Sequence, residues 1–407
     1  MLSLYNDKIK IRNQIARYFT IGLLILCQTS CTPRGKTDQI LLASKGKIES
    51  LDPSQANKLL AIQLISALGD TLYRINSNGD LEPRLAKTNP IISKDRLTIT
   101  IPLREDVLFH DGTIFDSHAM AFSLRRFMNI GTLNYIINDR INDIETPEKF
   151  ILVIRLSRPS SSIEGLLTSI NLTPVSPTSY YGYKNKFLNN NFVGTGPYKL
   201  ESYTPERQSI VPYENYWGEK AKNLGINYIS FNTSISLFSA IKTGQIDLLL
   251  SNSIEDGQRL ALHKLSQRDL LNEIQGPAIQ IGYIAFRSNS ELLGKNEIRE
   301  ALTYSLDRDL ISKQVSYGLR EPLKSITPPF KGIEKKSIWP SYKPNLSATL
   351  LEKEGFCKNR KLIIPLTFRS NVPADKLFAL TWQEQVRRDL GDCLEISLNG
   401  VESTTVY

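Results

Sequence analysis

Alternation and helical spacing divide the chain into short strands and amphipathic helices. Leu97, Ile99, Ile101 and Leu103 alternate with Thr98, Thr100 and Pro102, the two-residue period of a half-buried strand. Phe150, Leu152, Ile154 and Leu156 repeat that pattern. Between the two runs, Asp116 or Ser117 is placed to cap a helix with Met120, Leu124, Phe127 and Met128 on one face. Further strands are predicted over 226–231, 246–250, 280–286, 361–368 and 394–398. Ile298, Leu302, Leu306 and Leu310 form one i,i+4 row, which predicts a helix over 296–312. A second such row, Phe378, Trp382, Val386 and Leu390, predicts a helix over 374–390 that opens after Pro373 and stops at Gly391. Strands alternating with helices indicate an α/β protein. Long irregular stretches at 157–195 and 313–345 argue against a minimal doubly wound sheet.

Composition changes this picture little. Of 407 residues, 41% are hydrophobic and 22% charged, ordinary for a globular chain. The length suits two or three domains. No apolar run reaches the roughly 20 residues that a membrane-crossing helix needs. Of the net charge of +9, +3 lies in residues 1–30, where Lys8, Lys10, Arg12 and Arg17 face only Asp7. The remaining +6 is too diffuse for the dense basic face of a nucleic-acid binder.

That basic start precedes Phe19-Thr20-Ile21-Gly22-Leu23-Leu24-Ile25-Leu26-Cys27 and then Gln28-Thr29-Ser30-Cys31. A short apolar run behind positive charge reads as a secretory signal over 1–30. Thr29 and Ser30 are the small residues a lipobox places before its cysteine, although Gln28 stands where leucine is usual. A lipoprotein signal is expected, with Cys31 lipidated and 31–37 as a tether. Plain secretion and an uncleaved anchor are the alternatives. Several acyl chains on Cys31 would hold the protein at a membrane.

Export bears on the other cysteines. Cys357 and Cys393 each precede an apolar, strand-like run, and an oxidising compartment favours pairing. If those strands are neighbours, the cysteines meet at one edge and form a disulfide. Two buried thiols are the alternative.

Familiar catalytic motifs are missing. His110, His118 and His263 lack the i,i+4 spacing of a helical zinc site. There is no G-x-S-x-G elbow. Arg34-Gly35-Lys36-Thr37 ends like a phosphate loop but has Ser30 in place of the first glycine. Pro197 removes a backbone N–H from Gly194-Thr195-Gly196-Pro197, which reads as a tight turn. A triad dispersed along the chain leaves no local trace, so an exported hydrolase stays an alternative. No catalytic residue, metal ligand or cofactor is assigned. The chain does hold 17 Tyr, 15 Phe and 3 Trp, most of them core material. Asn215-Tyr216-Trp217-Gly218 lies instead in a polar, turn-rich stretch, where aromatics can line a ligand cleft.

Several segments, taken in order, carry a resemblance. They are Leu51-Asp52-Pro53, Leu103-Arg104, Val107-Leu108-Phe109-His110-Asp111-Gly112 and Phe122-Ser123-Leu124. After these come Val193-Gly194-Thr195-Gly196-Pro197-Tyr198, Asn215-Tyr216-Trp217-Gly218, Gly244-Gln245-Ile246-Asp247 and Ile298-Arg299-Glu300-Ala301-Leu302. Together they resemble the extracytoplasmic solute-binding proteins of peptide and nickel ABC importers, family 5. The resemblance implies a two-lobed α/β fold of the type II periplasmic-binding-protein kind. Lobe I would take 38–71 and 190–283, an extra subdomain 72–189, and lobe II 284–407. It also implies that lobe II is incomplete here. Family members continue past the equivalent of Tyr407 and return to lobe I with an acidic partner for a peptide's amino terminus.

Under the resemblance, ligand contacts are expected at Glu49, Ser50, Leu51 and Asp52, after the first strand, where open α/β sheets present strand ends. Trp217 would belong to an aromatic wall or to packing between subdomains. Arg369, with Ser370 and Asn371, would offer a guanidinium fork to a ligand carboxylate, a surface or inter-lobe ion pair being the rival. The turns at 109–112 and 194–197 are read as architecture. The implied function is that of a monomeric, lipid-anchored receptor. It would capture a peptide between its lobes and pass it to a membrane permease with a separate ATPase. The alternative ligands are a metal chelate, a haem-like compound or a modified sugar.

Overall fold

A computed structural model describes residues 39–402, except 77, 251–252, 275, 277–280 and 326–337. The signal over 1–30, Cys31 and the tether lie outside the described residues.

The first lobe is built on a five-stranded sheet. Its order is Leu248–Leu249, Ile40–Lys45, Ile226–Phe231, Arg207–Pro212 and Tyr198–Thr204. Ile40–Lys45 runs parallel to both its neighbours, while the last two strands form an antiparallel hairpin. Alternation sends Leu42, Ile210 and Tyr228 towards the helix Leu59–Leu68, which contributes Leu64, Ile65 and Leu68 to their core. Leu41 and Ala43 face the other way, against Leu237 and Ala240 of the helix Ser234–Lys242. The strand expected over 246–250 is only two residues long.

A second sheet, antiparallel, has the order Ile91–Ile92, Thr98–Pro102, Ile151–Leu156 and Ile141–Glu148. Ile99, Ile101, Leu152 and Ile154 share a core with Met120, Leu124 and Phe127 of the helix Ser117–Ile130. The Asp116 carboxylate caps that helix by accepting the Ala119 N–H at 2.9 Å. Local pattern and capping residue therefore placed this unit well.

The second lobe carries two parallel strands, Leu362–Arg369 and Leu394–Val401, paired from Leu362 opposite Leu394 to Arg369 opposite Val401. The helix Pro373–Leu390 joins them and buries Trp382, Val386 and Leu390. Pro373 occupies its first turn, where a missing N–H costs nothing. Gly391 ends it in a right-handed conformation, φ −57°, so the stop does not use glycine's left-handed freedom. A disulfide joins Cys357 and Cys393. Beside it, the Leu362 N–H donates to the Cys393 carbonyl at 2.8 Å.

Two expected elements are corrected. The helix over 296–312 is two helices, Asn296–Tyr304 and Arg308–Ser316. Asp307 interrupts the row because its carboxylate caps the second helix through the Leu310 N–H at 2.9 Å. Its own N–H donates to Gln385 at 3.1 Å instead of continuing the first helix. Among the described residues of 280–286, no strand ladder forms. Ile284 and Phe286 pack against the second lobe's core, while Ile281 and Tyr283 are exposed.

Candidate ligand site

The loop after the first strand is held from beneath. The Ser50 hydroxyl donates to the Asn189 side chain at 2.9 Å, and the Leu51 N–H donates to the Asn189 carbonyl at 2.9 Å. Leu51 and Asp52 are fully enclosed. The Asp52 carboxylate accepts two bonds from the Arg126 guanidinium, at 2.9 and 2.5 Å. It also accepts the N–H groups of Ser54 at 2.9 Å and Leu188 at 2.7 Å. Arg126 in turn donates to the carbonyls of Tyr183 and Lys186, both at 2.9 Å. Every direction around this ion pair is filled, as a buried pair requires. Leu51 and Asp52, expected among the ligand contacts, are both turned inward here, and Asp52 fastens the extra subdomain's helix to lobe I. Ser50 is buried beside them. Of the four residues Glu49 alone is exposed, where it pairs with Lys58 at 2.7 Å.

Trp217 is held by a polar group at the edge of the extra subdomain. Its indole N–H donates to Asp70 at 3.0 Å, and Asp70 also accepts from Arg84 at 2.7 Å and from the Tyr216 hydroxyl at 3.2 Å. The Arg84 and Arg104 guanidinium carbons lie 4.9 and 4.3 Å from the indole centroid. Burial pushes the Asp70 carboxyl up, and Arg84 opposes that shift. The ring also packs against the extra subdomain's core, which ties that core to the strand-end segment of lobe I.

The two glycine-containing turns interlock. The His110 N–H donates to the Gly194 carbonyl at 2.9 Å, and its Nε2 lies 3.1 Å from the Gly196 carbonyl. The Gly194 N–H points at His110 Nδ1 at 3.4 Å. This arrangement selects the neutral ring with the proton on Nε2, since a proton on Nδ1 would oppose the Gly194 N–H. Burial accordingly pushes the imidazole down to about 4. A Cβ on Gly196 would come within 2.5 Å of the Gly69 nitrogen, so only glycine permits this close approach to the end of Leu59–Leu68.

On the second lobe, Arg369 ends its strand and makes a two-pronged contact with Asp375, at 2.6 and 3.1 Å. The ion-pair alternative is realised, within one lobe rather than between two. Ser370 donates its N–H and hydroxyl to the Val401 carbonyl at 2.8 and 3.0 Å. Asn371 follows in the turn before Pro373. Residues 49–52 and 369–371 thus belong to different lobes, and Trp217 belongs with neither group. A depression of about 540 Å³ on the lobe I sheet is lined by Gln39, Glu201, Arg207, Ser209 and Asn227, none of them expected beforehand.

Residues 80–407 match the model of the bacterial extracellular solute-binding proteins, family 5, middle part. The chain belongs to this family. Among similar curated proteins is the glutathione-binding protein GsiB of Salmonella paratyphi A, 25% identical over 322 residues. The match takes in 78% of this chain and 61% of that protein, so the chain spans about three fifths of that relative's length. Similar solved structures include a dipeptide-binding protein from Pseudoalteromonas sp. SM9913 in complex with Met-Leu. It is 22% identical with a TM-score of 0.74, covering 90% of this chain and 76% of that one. Another is NikZ from Campylobacter jejuni in complex with Ni(L-His), 23% identical with a TM-score of 0.71, covering 91% and 75%. These likenesses establish the two-lobed type II fold.

No helix among the described residues is long and apolar enough to cross a membrane. No described cluster of three or more His, Cys, Asp or Glu could hold a metal ion. Three features escaped the sequence reading: the Asp52–Arg126 pair, the partners of Trp217 and the contact between Asp256 and Arg320. All join residues far apart in the chain. The one local hint was an arginine, Arg126, amid the apolar run of 120–128.

Proposed function

We propose that this protein is the ligand-capturing component of an ABC importer, and that its ligand is a peptide enclosed between the lobes. The observation that carries this reading is a pair of lobes with separate hydrophobic cores, with irregular chain at 281–287 between them. Such bodies can close on a ligand that touches both. Family membership supports the same reading. Glu49, exposed on lobe I, and Arg369 to Asn371 at a strand end on lobe II are the candidate contacts that remain. In the closed form Arg369 would exchange Asp375 for a ligand carboxylate. No reaction is catalysed; permease and ATPase are separate chains. Cys31 carries the lipid that keeps the receptor on the outer side of a membrane, where it acts as a monomer.

Calorimetric titration tests the ligand. Dipeptides, glutathione and a nickel–histidine chelate are each added to the purified protein, and the mixture is assayed for cleavage. Saturable heat with a free-carboxylate peptide and no product is expected. Heat with the chelate alone would replace peptide by chelate, and peptide cleavage would replace the receptor by a hydrolase. Labelling of cells with a palmitate analogue should mark the protein, and Cys31→Ser should abolish the mark.

A further inference from the structure

The chain of lobe II is clasped at the entrance to its strand pair. A disulfide joins Cys357 to Cys393, 36 residues further on. The strand Leu362–Arg369 and the helix Pro373–Leu390 both lie inside that loop, and Cys393 runs straight into the strand Leu394–Val401. The ladder starts beside the bridge, with Leu362 opposite Leu394. Cys393 is 7% exposed, and Cys357 packs on the core that holds Phe356, Trp382 and Leu394. The bridge also meets a tight corner. After the helix Pro344–Lys353, Gly355 takes φ +85° and the Phe356 N–H returns to the Leu351 carbonyl at 3.0 Å. Cys357 follows at φ +80°, a left-handed value that residues with side chains avoid. Its N–H donates to the Arg360 carbonyl at 3.0 Å. Opening the bridge would release Cys357 from that corner, and with it the neighbouring Phe356.

We propose that this disulfide is a redox switch for lobe II, whose strand pair is secured only once the two thiols are oxidised. Parallel strands cannot meet through a tight turn, so the whole crossover must close before the first pair forms. A cross-link over 36 residues removes that cost from the unfolded chain. For a loop of this length, chain entropy alone shifts the folded-to-unfolded ratio by about 600-fold. Residues 39–283 contain no cysteine, so the switch acts on lobe II and spares lobe I with the extra subdomain. Closure takes two protons and two electrons from the thiols, and a disulfide of a thiol oxidoreductase accepts them. One thiolate attacks that disulfide, and the second displaces it from the mixed intermediate as a dithiol. A reducing cytoplasm keeps both thiols open, whereas an oxidising exterior closes them. Lobe II is then set only after export, where a ligand is to be met.

The inference rests on the expected export and the receptor reading for its purpose alone, and its test uses no ligand. Hydrogen exchange of the purified oxidised protein is compared with that after reduction by a phosphine, with two free thiols counted. Exchange over 362–369 and 394–401 should accelerate about a hundredfold or more, and 98–102 and 151–156 should keep their rates. Reoxidation by hydroxyethyl disulfide should restore the slow exchange. Cys357→Ser with Cys393→Ser should match the reduced protein and ignore the phosphine, and unchanged rates at 98–102 show that it has folded. Unchanged exchange over both strands after reduction would overturn the switch. So would equal acceleration at 98–102 and 151–156, which makes the bridge a general brace. Either failure leaves ligand capture standing, because the titrations above decide that separately.

Discussion

Lobe I meets two neighbours, and the two seams are built differently. Towards the extra subdomain it presents a buried ion pair, Asp52 with Arg126, both almost wholly enclosed. The interlocked turns of His110 and Gly194 add to this seam, as does the Asp70 group around Trp217. Towards lobe II it presents the Asp256–Arg320 contact, half in water, and irregular chain at 281–287. The same chemistry, an arginine fork on an aspartate, therefore makes an enclosed contact in one place and a water-exposed one in the other. Burial decides which, because solvent can replace an exposed partner but not an enclosed one. Enclosed polar contacts thus fasten lobe I to the extra subdomain, while its contact with lobe II stands open to water.

The strongest way to break this comparison is to remove one half of the buried pair. Arg126→Ala strands the Asp52 carboxylate and should lower unfolding stability by about 3 to 5 kcal/mol. Replacing both partners with apolar residues, Asp52→Leu with Arg126→Met, should restore most of that loss, since no charge is left uncompensated. Urea denaturation measures both. A loss below about 1 kcal/mol for Arg126→Ala would place this pair among exposed ones and erase the contrast.

Acid offers a smaller test of the same seam. His110 is pushed down to about 4 by burial, against 6.5 when free. The unfolded chain therefore takes up a proton through 6.5 while the folded protein declines it until about 4. Stability falls as pH drops through that window and is fully retained above it, by up to about 3 kcal/mol from this group. His118 is exposed and His263 half-exposed, which leaves His110 as the enclosed histidine. Urea melts between pH 7 and pH 4.5 should show a steeper decline for the parent than for His110→Gln, whose amide can still donate to the Gly196 carbonyl. Equal slopes would mean that the interlock tolerates the charged ring.

The elements of both units were legible where the information is local. Alternation of Leu97 to Leu103, the Asp116 cap and the row through Trp382 each lie within one strand, one turn or one helix. The meeting of Cys357 and Cys393 followed from two such strands lying side by side. Legibility stopped at the seams. The leucine row of 298–310 runs unbroken through Asp307, and the break becomes visible only with Gln385 opposite. Arg125 and Arg126 are adjacent and identical in type, yet one is exposed and the other enclosed by partners 72 to 74 residues back along the chain. The rule that strand ends face ligand located the loop at 49–52 but said nothing of which side chains turn inward. Leu51 and Asp52 turned inward.

The Arg369–Asp375 pair sharpens the comparison with the smallest effect. Its geometry repeats that of Arg126 with Asp52, two prongs on one carboxylate, but its side chains are 38% and 30% exposed. Asp375 also sits in the first turn of Pro373–Leu390, where a negative charge suits the helix end. Asp375→Asn should therefore cost less than about 1 kcal/mol in a urea melt, several times less than Arg126→Ala. If the strand end receives a ligand carboxylate, that variant removes a competitor and should bind a free-carboxylate peptide more tightly than the parent. An amidated peptide, which has no charge to offer Arg369, should bind both proteins alike. A large loss of stability would show that exposure does not separate the two forks. Unchanged affinity for both peptides would remove Arg369 from the ligand site while leaving the contrast between enclosed and exposed pairs intact.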